Sequence, residues 1–304
     1  MRLKKEDYLF NQIQELGEYE QVYLLDKILS IANKEKLRQK RDDISKTVEL
    51  RDYVEEAKLL TDNWGMQLGL LSEYDKLNEF AGGFRRKGIY ILGGEASSGK
   101  STVAINLAVQ FDQQDKKVHI VSYEDPTEFV AARVSKIQDG LKDVRITSPA
   151  PELIEGIYSM DHNKLYEHLA AIKAKRGLDV VVIDYIQFMA LFSEEMEYIA
   201  INNTMKLFRD VAKSLDIVLI ALSQLNRGKE VGTNRFHGSS AIEKLADVAV
   251  IISRDKDMPT DLILQVVKSK YTHLRQEQII YQFEVGKEGA LLKEKGTRPL
   301  GSNA

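Results

Sequence analysis

The segment Gly-Glu-Ala-Ser-Ser-Gly-Lys-Ser at residues 94–101 constrains the fold of this chain more than any other feature. It follows a short apolar run, residues 88–92, and it opens a second apolar stretch of helical length, residues 103–111. A Gly-x4-Gly-Lys-Ser pattern between a strand and a helix is the phosphate loop of α/β proteins that bind nucleoside triphosphates. The segment therefore predicts a triphosphate site on a strand–loop–helix unit.

Each part of this loop has a predicted physical role. Its glycines let the main chain wrap, so that N–H groups and the helix N-terminus point at the β-phosphate. Lys100 is predicted to reach the β- and γ-phosphates, and the Ser101 hydroxyl to bind Mg²⁺. The predicted nucleotide-binding residues of this segment are Gly94, Glu95, Ala96, Ser97, Ser98, Gly99, Lys100, Ser101 and Thr102.

The chain divides into two parts that differ in sequence pattern. Residues 1–63 contain no proline and no glycine after Gly17, and their apolar residues recur at helical spacing, which predicts a helical arm. From Trp64 onward, short runs rich in valine and isoleucine alternate with polar stretches, a pattern typical of buried parallel strands joined by crossover helices. We therefore predict an arm over residues 1–63 and an α/β catalytic domain over residues 64–304.

The predicted central sheet contains seven apolar runs. They are residues 88–92, 118–123, 180–185, 217–222, 248–253, 262–268 and 278–285. Helices are predicted to fill the gaps as far as Leu245, whereas the last two runs are joined only by a polar turn and are predicted to be antiparallel edge strands. The expected fold is thus α/β, with a mostly parallel sheet flanked by helices. The tail, residues 296–304, is left out of the predicted fold.

Composition narrows the classes of function. The 304 residues, 43% of them hydrophobic, are enough for one sizeable α/β domain and a smaller appendage. A net charge of -3 means that any nucleic-acid contact requires a local basic patch. The absence of cysteine excludes disulfides and thiolate metal sites. Because the sequence has neither a secretion signal nor an apolar run of membrane-spanning length, we expect a cytoplasmic protein with no membrane partner.

Polar residues at the ends of the predicted strands are further site candidates, because a doubly wound sheet presents its ligand site there. Asp184 ends one such run and is the expected acid on the Mg²⁺ side. Glu124 and Asp125 follow another, and Asp125 before Pro126 has the pattern of a helix N-cap, which leaves Glu124 to activate the attacking water. Gln224 follows a fourth strand, where a glutamine either senses the γ-phosphate or caps a turn.

With these residues in place, the chain resembles the catalytic domain of DnaB-like replicative helicases from about Leu68 to Val285. The segments that carry the resemblance are residues 70–77 leading to 82–84, the phosphate loop, residues 122–124, 182–189, 221–227, and 238–243 before Ala246 and Asp247. Its Asp-Tyr-x-Gln and Ser-Gln-Leu-Asn-Arg stretches are specific to this family rather than to phosphate loops in general. The resemblance implies a RecA-type fold, ATP as the nucleotide, and a hexameric ring acting on single-stranded DNA with 5′-to-3′ polarity.

The resemblance also assigns residues. It places Glu124 on the catalytic glutamate, Gln224 on the sensing glutamine, and Arg133 on an arginine of the family pattern that we group with the nucleotide-binding residues.

One departure from the family concerns the residue that acts across the subunit interface. Where the family carries Lys-x-Arg, with the arginine acting as a finger on the neighbour's γ-phosphate, this chain has Lys268 and Lys270. Lysine supplies the charge but not the planar fork of donors. Lys270 is therefore the predicted finger, with Lys268 in the nucleotide site and Arg275 as the alternative finger.

The family's DNA contacts come from loops that line the ring channel. The second such loop here, residues 226–238, is basic and punctuated by glycines, and its predicted phosphate contacts are Arg227, Lys229 and Arg235. The first, residues 193–197, is acidic and opposes DNA binding. The arm is shorter than the family's helical collar, which predicts a reduced relative, and residues 49–60 are the candidate helix that docks on the adjacent subunit.

Two functions remain open at this point. The leading one is an ATP-driven helicase or translocase on single-stranded DNA during replication, with a loader or a primase as protein partners. The alternative is a RecA-type ATPase that regulates or remodels a protein partner without unwinding DNA, which Lys270, the acidic loop and the short arm favour. A strand-exchange recombinase and an inactive nucleotide-binding protein fit the motifs less well.

Overall fold

The computed structural model of the chain describes residues 69–137, 141–148, 162–187, 197–225, 236, 239–255, 257–258, 260–273, 277–283 and 291–299. The predicted arm, residues 1–63, and its docking helix at residues 49–60 lie outside these ranges. The helices described are α1 (Asp75–Ala81), α2 (Lys100–Gln113), α3 (Thr127–Ile137), α4 (His162–Arg176), α5 (Glu197–Ser214) and α6 (Ser239–Leu245). The strands are β1 (Ile89–Gly94), β2 (Val118–Ser122), β3 (Val144–Thr147), β4 (Val180–Asp184), β5 (Val218–Gln224), β6 (Val248–Arg254), β7 (Asp261–Ser269), β8 (Glu277–Phe283) and β9 (Leu292–Pro299).

All of these strands belong to one sheet, in the order β3-β2-β4-β5-β1-β6-β7-β8-β9. The pairs from β3 to β6 are parallel, and the pairs from β6 to β9 are antiparallel. The prediction of a mostly parallel sheet with antiparallel strands toward the C-terminus is therefore confirmed. In the parallel part, Gly94 is in register with Gln224 on one side and Ile252 on the other, and Ser122 is in register with Asp184. The carboxyl ends of these strands thus meet at one edge.

The central strands are buried on both faces. Along β1, Tyr90 and Leu92 pack in one core with α2, whereas Ile89 and Ile91 pack in a second core with α5. Since side chains alternate across a strand, a sheet covered by helices on both sides requires an uninterrupted apolar run, which explains the pattern that predicted these strands. No helix within the described residues is long and apolar enough to span a membrane.

Two strands carry too little apolar signal to be predicted. β3 has only four residues, and it lies between α3 and α4 where only helices are predicted. β9 reads Leu-Lys-Glu-Lys-Gly-Thr-Arg-Pro. The prediction that residues 296–304 lie outside the fold is wrong for residues 296–299, because Gly296 and Pro299 of β9 are in register with Ile280 and Glu277 of β8. β9 rather than β8 is consequently the edge strand, and an edge strand tolerates polar side chains and proline.

Candidate nucleotide site

The phosphate loop follows β1 directly and wraps closely around its own backbone. Gly99 caps α2 in the left-handed region, with a φ of 99°, and Ser97 also has a positive φ, 58°. A Cβ on Gly94 would lie 2.2 Å from the Ser98 Oγ and 2.7 Å from the Ile252 carbonyl oxygen. Glycine is therefore required at both ends of the loop, where the chain turns tightly. In loops of this kind, main-chain N–H groups bind a phosphate.

The side chains of the loop divide into an exposed tip and an enclosed base. Glu95, Ala96 and Ser97 are exposed at the tip, whereas Ser98 is buried, and its Oγ has no hydrogen-bond partner within the described residues. Thr102 lies in the first turn of α2, half-buried. The loop thus presents a polar concavity with an unsatisfied hydroxyl at its base, which suits a phosphate oxygen.

Lys100 folds back into this concavity. Its Nζ donates hydrogen bonds to the carbonyl oxygens of Gly94, 3.0 Å away, and Glu95, 2.8 Å away. Burial lowers the pKa of Lys100, while the negative charges of Asp184 and Glu124 act in the opposite direction. Because its hydrogen-bond acceptors are neutral carbonyls, the ammonium carries a charge that an anion in the loop would compensate.

Asp184, at the end of β4, is a buried carboxylate with too few partners. It is 7% exposed, its Oδ2 accepts a 2.8 Å hydrogen bond from the Ser101 Oγ, and its Oδ1 has no partner among the residues described. Burial, together with the negative charges of Glu124 and Asp125, raises the pKa of Asp184 to about 6, although the Ser101 hydrogen bond and the charge of Lys100 act in the opposite direction. Such a carboxylate fits a divalent cation, which prefers oxygen ligands and would relieve the burial of its charge.

Glu124 and Asp125 leave the end of β2 in different situations. Glu124 is exposed, and its charge acts on Lys100, Asp184 and the Tyr185 hydroxyl, which places it at the same edge of the sheet. The Asp125 Oδ2 forms an ion pair with the Nη1 of Arg133 on α3, at 2.7 Å. The Asp125 carboxylate is therefore paired locally, whereas that of Glu124 is exposed at this edge of the sheet.

The start of α3 differs by one residue from the predicted cap. The helix begins at Thr127, and the Pro126 carbonyl accepts the first main-chain hydrogen bonds, from Phe129 and Val130. Pro126 rather than Asp125 thus precedes the first helical residue. A difference of one residue is usual when a helix end is assigned from sequence.

Gln224 ends β5 opposite Gly94 of the phosphate loop. Its main-chain N–H donates to the Gln187 Oε1 at 3.0 Å, and the Gln187 Nε2 donates to the Ser223 Oγ and the Gln224 carbonyl at 3.0 and 3.2 Å. Gln187 is buried and is not among the predicted site residues, although it is the glutamine of the Asp-Tyr-x-Gln stretch. It ties the chain three residues after Asp184 to the end of β5, at Ser223 and Gln224.

Arg254 is a second residue at this edge that is absent from the predicted site residues. It ends β6, and its Nε donates to the Ser97 carbonyl oxygen at 3.2 Å. The signal that locates it is the pairing of β6 with β1, because Ile252 is opposite Gly94 and Arg254 lies two residues further on. Only the strand order reveals this, since β1 and β6 are far apart in sequence.

The structure does not bring Lys268 and Lys270 to the phosphate loop of their own chain. Lys268 lies on β7 opposite Ala249, and Lys270 follows the strand with its Nζ 2.7 Å from the Oδ1 of Asp247, the residue before β6. Because β7 is antiparallel to β6, this turn lies at the amino edge of the parallel strands. The phosphate loop lies at the other end of β1, about 20 Å away for a strand of this length.

Several predicted residues lie outside the described ranges. They are Arg275, the predicted DNA contacts Arg227, Lys229 and Arg235, and residues 193–196 of the acidic loop.

A phosphate loop on a mostly parallel sheet, with a buried acid two strands away, defines an α/β nucleoside-triphosphate-binding domain. Within that class, residues 69–150 and 137–288 match the DnaB-like helicase C terminal domain family. The chain belongs to this family. The resemblance found in the motifs is thereby confirmed.

The sequence is also similar to those of curated helicases. The replicative DNA helicase DnaB of Buchnera aphidicola subsp. Acyrthosiphon pisum is 29% identical in an alignment of 217 residues that covers 62% of this chain and 47% of the relative. DnaB of Buchnera aphidicola subsp. Schizaphis graminum is 29% identical over 270 residues, 77% and 57%. The DNA helicase/primase of Enterobacteria phage T3 is 23% identical over 265 residues, 76% and 46%. This chain thus spans about half the length of these relatives.

Solved structures show the same fold. One of them, described as an ATPase domain, superposes with a TM-score of 0.68 at 18% identity, covering 82% of this chain and 99% of that one. A DnaB-like replicative helicase, described with its interactions with primase, superposes with a TM-score of 0.63 at 16% identity, covering 89% and 75%. The expected RecA-type architecture is confirmed by these neighbours.

Proposed function

We propose that this chain is an ATP-hydrolysing motor that moves on single-stranded DNA as a ring, and that it unwinds duplex DNA during replication. The observation that carries ATP hydrolysis is the Asp184 carboxylate, which is buried, short of partners and hydrogen-bonded to Ser101 beside the phosphate loop. Membership of the DnaB-like helicase family supports the proposed movement on DNA and unwinding of the duplex.

The residues present fit ATP with Mg²⁺. Ser101 and Asp184 would hold the ion, which when bound supplies positive charge to the oxygens of the β- and γ-phosphates. Lys100 leaves its two carbonyl acceptors for the phosphate oxygens, and the loop N–H groups bind the β-phosphate. Glu124 orients the attacking water and accepts its proton. Gln224, at the end of β5, senses whether the γ-phosphate is present.

The two edges of the sheet suggest how subunits would meet in the proposed ring. In a head-to-tail ring, each interface joins one surface of a subunit to a different surface of the next. If the phosphate-loop edge of one subunit meets the amino edge of its neighbour, Lys270 lies at the neighbour's γ-phosphate, with Lys268 beside it. Arg275 is the alternative finger. We propose six subunits per ring, as the family resemblance implies.

The DNA and protein contacts are also proposals. Arg227, Lys229 and Arg235 would contact the phosphates of a single strand in the channel, and movement would run from 5′ to 3′. A helicase loader or a primase is the proposed protein partner. We further propose that residues 1–63 form a helical arm attached to the domain of residues 64–304, with residues 49–60 docking on the adjacent subunit.

The decisive experiment measures ATP hydrolysis with and without single-stranded DNA, followed by strand displacement on a forked duplex. We expect DNA to stimulate hydrolysis, and Lys100→Ala to abolish both activities. The control is Lys213→Ala, an exposed lysine at the end of α5. Hydrolysis indifferent to DNA, with no displacement, would instead indicate an ATPase that remodels a protein partner.

The DNA-binding proposal has its own test. If the three basic residues contact phosphates, the affinity for a single strand falls steeply as the salt concentration rises, and each substitution to alanine makes that dependence shallower. A salt dependence unchanged by all three substitutions would contradict their assignment.

A further inference from the structure

The turn that carries Lys270 is fixed to the body of the domain. The Ser269 Oγ accepts hydrogen bonds from the Tyr271 and Thr272 N–H groups, at 3.1 and 3.2 Å, and donates to the Ala81 carbonyl oxygen of α1 at 3.2 Å. The Thr272 Oγ1 donates to the Phe80 carbonyl oxygen. Four hydrogen bonds therefore secure the turn on both sides of Lys270.

Packing and the backbone of Lys270 itself add to this anchorage. The Arg85 guanidinium lies 4.1 Å from the centre of the Tyr271 ring, a cation–π distance. Gly82 approaches the same residue so closely that a Cβ would lie 2.5 Å from the Tyr271 Cβ. The Lys270 N–H donates to the Asp247 carbonyl oxygen at 2.9 Å. Since the main chain is held in this way, only the side chain of Lys270 is left to move.

The side chain of Lys270 ends on a carboxylate that is already satisfied. Asp247 is 2% exposed, and its Oδ2 accepts from the Ile89 N–H and the Arg209 Nη1, both at 2.8 Å. Its Oδ1 accepts from the Arg209 Nη2 at 3.2 Å and from the Lys270 Nζ at 2.7 Å. Burial alone would raise the pKa of Asp247, but the hydrogen bonds from Arg209 and Lys270 outweigh it and hold the pKa below its usual value.

The two cations on Asp247 are not equivalent. The Arg209 side chain is 14% exposed and contacts both carboxylate oxygens, whereas Lys270 is 51% exposed and contacts one. If the ammonium leaves, each oxygen keeps a partner. Because Asp247 and Arg209 together carry no net charge, they attract the ammonium less strongly than a phosphate with net negative charge does. Lys270 is thus the replaceable partner.

We propose that Asp247 is the positioning residue for Lys270: in the subunit alone it holds the ammonium at the amino edge of the sheet, and a triphosphate presented by a neighbouring subunit takes the ammonium over. This inference rests on the proposed action of Lys270 across the interface. It explains how a flexible lysine serves where the family carries a planar arginine, since the side chain is directed before the neighbour arrives.

The test is a double-mutant cycle on ATP hydrolysis by the full chain, in Asp247→Asn, Lys270→Ala and the combination. We expect kcat to fall about 100-fold in Lys270→Ala and about 10-fold in Asp247→Asn, with KM for ATP within about twofold, because the lost interactions act on the transition state. The combination should be no slower than Lys270→Ala alone, since Asp247 acts through Lys270.

A second buried aspartate paired with an exposed lysine gives a matched control. The Lys295 Nζ lies 2.9 Å from the Oδ2 of Asp261, which is buried like Asp247. Asp261→Asn and Lys295→Ala should leave kcat within about twofold of the unsubstituted chain, as for surface changes remote from the chemistry.

Three outcomes would overturn these ideas in different ways. Losses that multiply in the combined variant would mean that Asp247 does not act through Lys270. An unchanged kcat in Lys270→Ala would refute the proposed action across the interface, and the positioning role with it. A fall in kcat in the Asp261→Asn control equal to that in Asp247→Asn would attribute the effect of Asp247→Asn to stability alone.

A measurement on the unsubstituted chain covers the case in which Asp247→Asn does not fold. Amine acetylation of the nucleotide-free subunit, followed by mass spectrometry, compares Lys270 with the exposed Lys213. We expect Lys270 to react about fivefold more slowly, because an ion-paired ammonium must first leave its partner. Equal rates would show that Asp247 does not hold the ammonium.

Discussion

Asp184 and Asp247 are both buried aspartates at strand ends of one sheet, but they lie at opposite edges and differ in how their charge is balanced. Asp184 has one hydrogen bond from a hydroxyl and an Oδ1 without a partner in the described part of the chain, and burial raises its pKa to about 6. Asp247 accepts four hydrogen bonds, and its pKa is lowered. The carboxylate that lacks partners lies at the proposed metal site, whereas the one with four hydrogen bonds is tied into the surrounding fold.

The two shifts have opposite consequences for stability against pH. A raised carboxyl pKa means that the folded chain penalises the ionised form, so the penalty of Asp184 is full above about pH 6 and disappears below the ordinary value of 3.8. The rise of the Asp184 pKa from 3.8 to about 6 corresponds to a loss of folding free energy on the order of 3 kcal/mol when the group is ionised. Asp247 behaves in the reverse sense, since its contribution is full above the ordinary value and is lost as the pH falls through the lowered one.

The largest expected effect lies at the phosphate-loop edge and concerns turnover rather than stability. Glu124→Gln should lower kcat for ATP hydrolysis by about 10³-fold while nucleotide affinity stays within about threefold, because the amide cannot accept the proton of the attacking water. Steady-state kinetics and a fluorescent-nucleotide titration measure the two quantities. The matched control is Glu128→Gln, an exposed glutamate on α3. Retained turnover in Glu124→Gln would reject Glu124 as the base.

The next effect is at the amino edge, on folding. Asp247→Asn should lower the free energy of unfolding of the nucleotide-free chain by about 3 kcal/mol, because it leaves Arg209 buried without its counter-charge. Urea unfolding at pH 7.5 gives this value. A loss below about 1 kcal/mol would mean that the hydrogen-bonded Asp247 carboxylate is not needed to balance the buried charge of Arg209.

Asp184→Asn should act in the opposite direction. Without nucleotide, it should raise the free energy of unfolding by about 1–2 kcal/mol at pH 7.5, since it removes a penalised charge, although it also weakens the bond to Ser101. The gain should vanish near pH 4, where Asp184 is protonated. Urea unfolding at pH 7.5 and at pH 4 tests this. In the same variant, ATP hydrolysis should be lost whatever the Mg²⁺ concentration. Destabilisation at pH 7.5 would break the contrast between the two aspartates.

The smallest effect separates the two cations on Asp247. Lys270→Ala should lower the free energy of unfolding by less than about 1 kcal/mol, because half-exposed ion pairs contribute little. Arg209→Met, which removes both bonds of the buried partner, should cost about 3 kcal/mol. The same urea experiment compares them, and equal losses would show that Lys270 is not the replaceable partner.

Much of the phosphate-loop edge of the sheet could be predicted from sequence, because the sequence patterns that indicate its residues are local. A strand end is indicated within a few residues by each of three patterns: the phosphate loop, the apolar run before Asp184, and the pair Glu124 and Asp125. Arg254 and Asp247 could not be assigned in this way. Arg254 reaches the loop only because β6 is next to β1, and Asp247 meets Arg209 and Lys270 only through the order of strands and helices.

The strands missed from the sequence show the same limit from another side. A strand is recognised from sequence by its run of apolar, buried side chains. In β9 only Leu292 is buried, and the strand otherwise pairs with β8 through its main chain and reaches Asp261 through Lys295. Its sequence therefore resembles a polar tail. The amino-acid composition of a strand does not show which strand it pairs with or in which register.

The character of β9 also affects how copies of this chain associate. An open sheet edge is a template on which another chain can add strands without limit, producing filaments. Here one edge of the sheet is β3, with four residues, and the other is β9, which ends in a proline and carries charges at Lys293, Glu294, Lys295 and Arg298. Neither edge favours strand addition, so the proposed closed ring would be built through the surfaces formed by strand ends and helices.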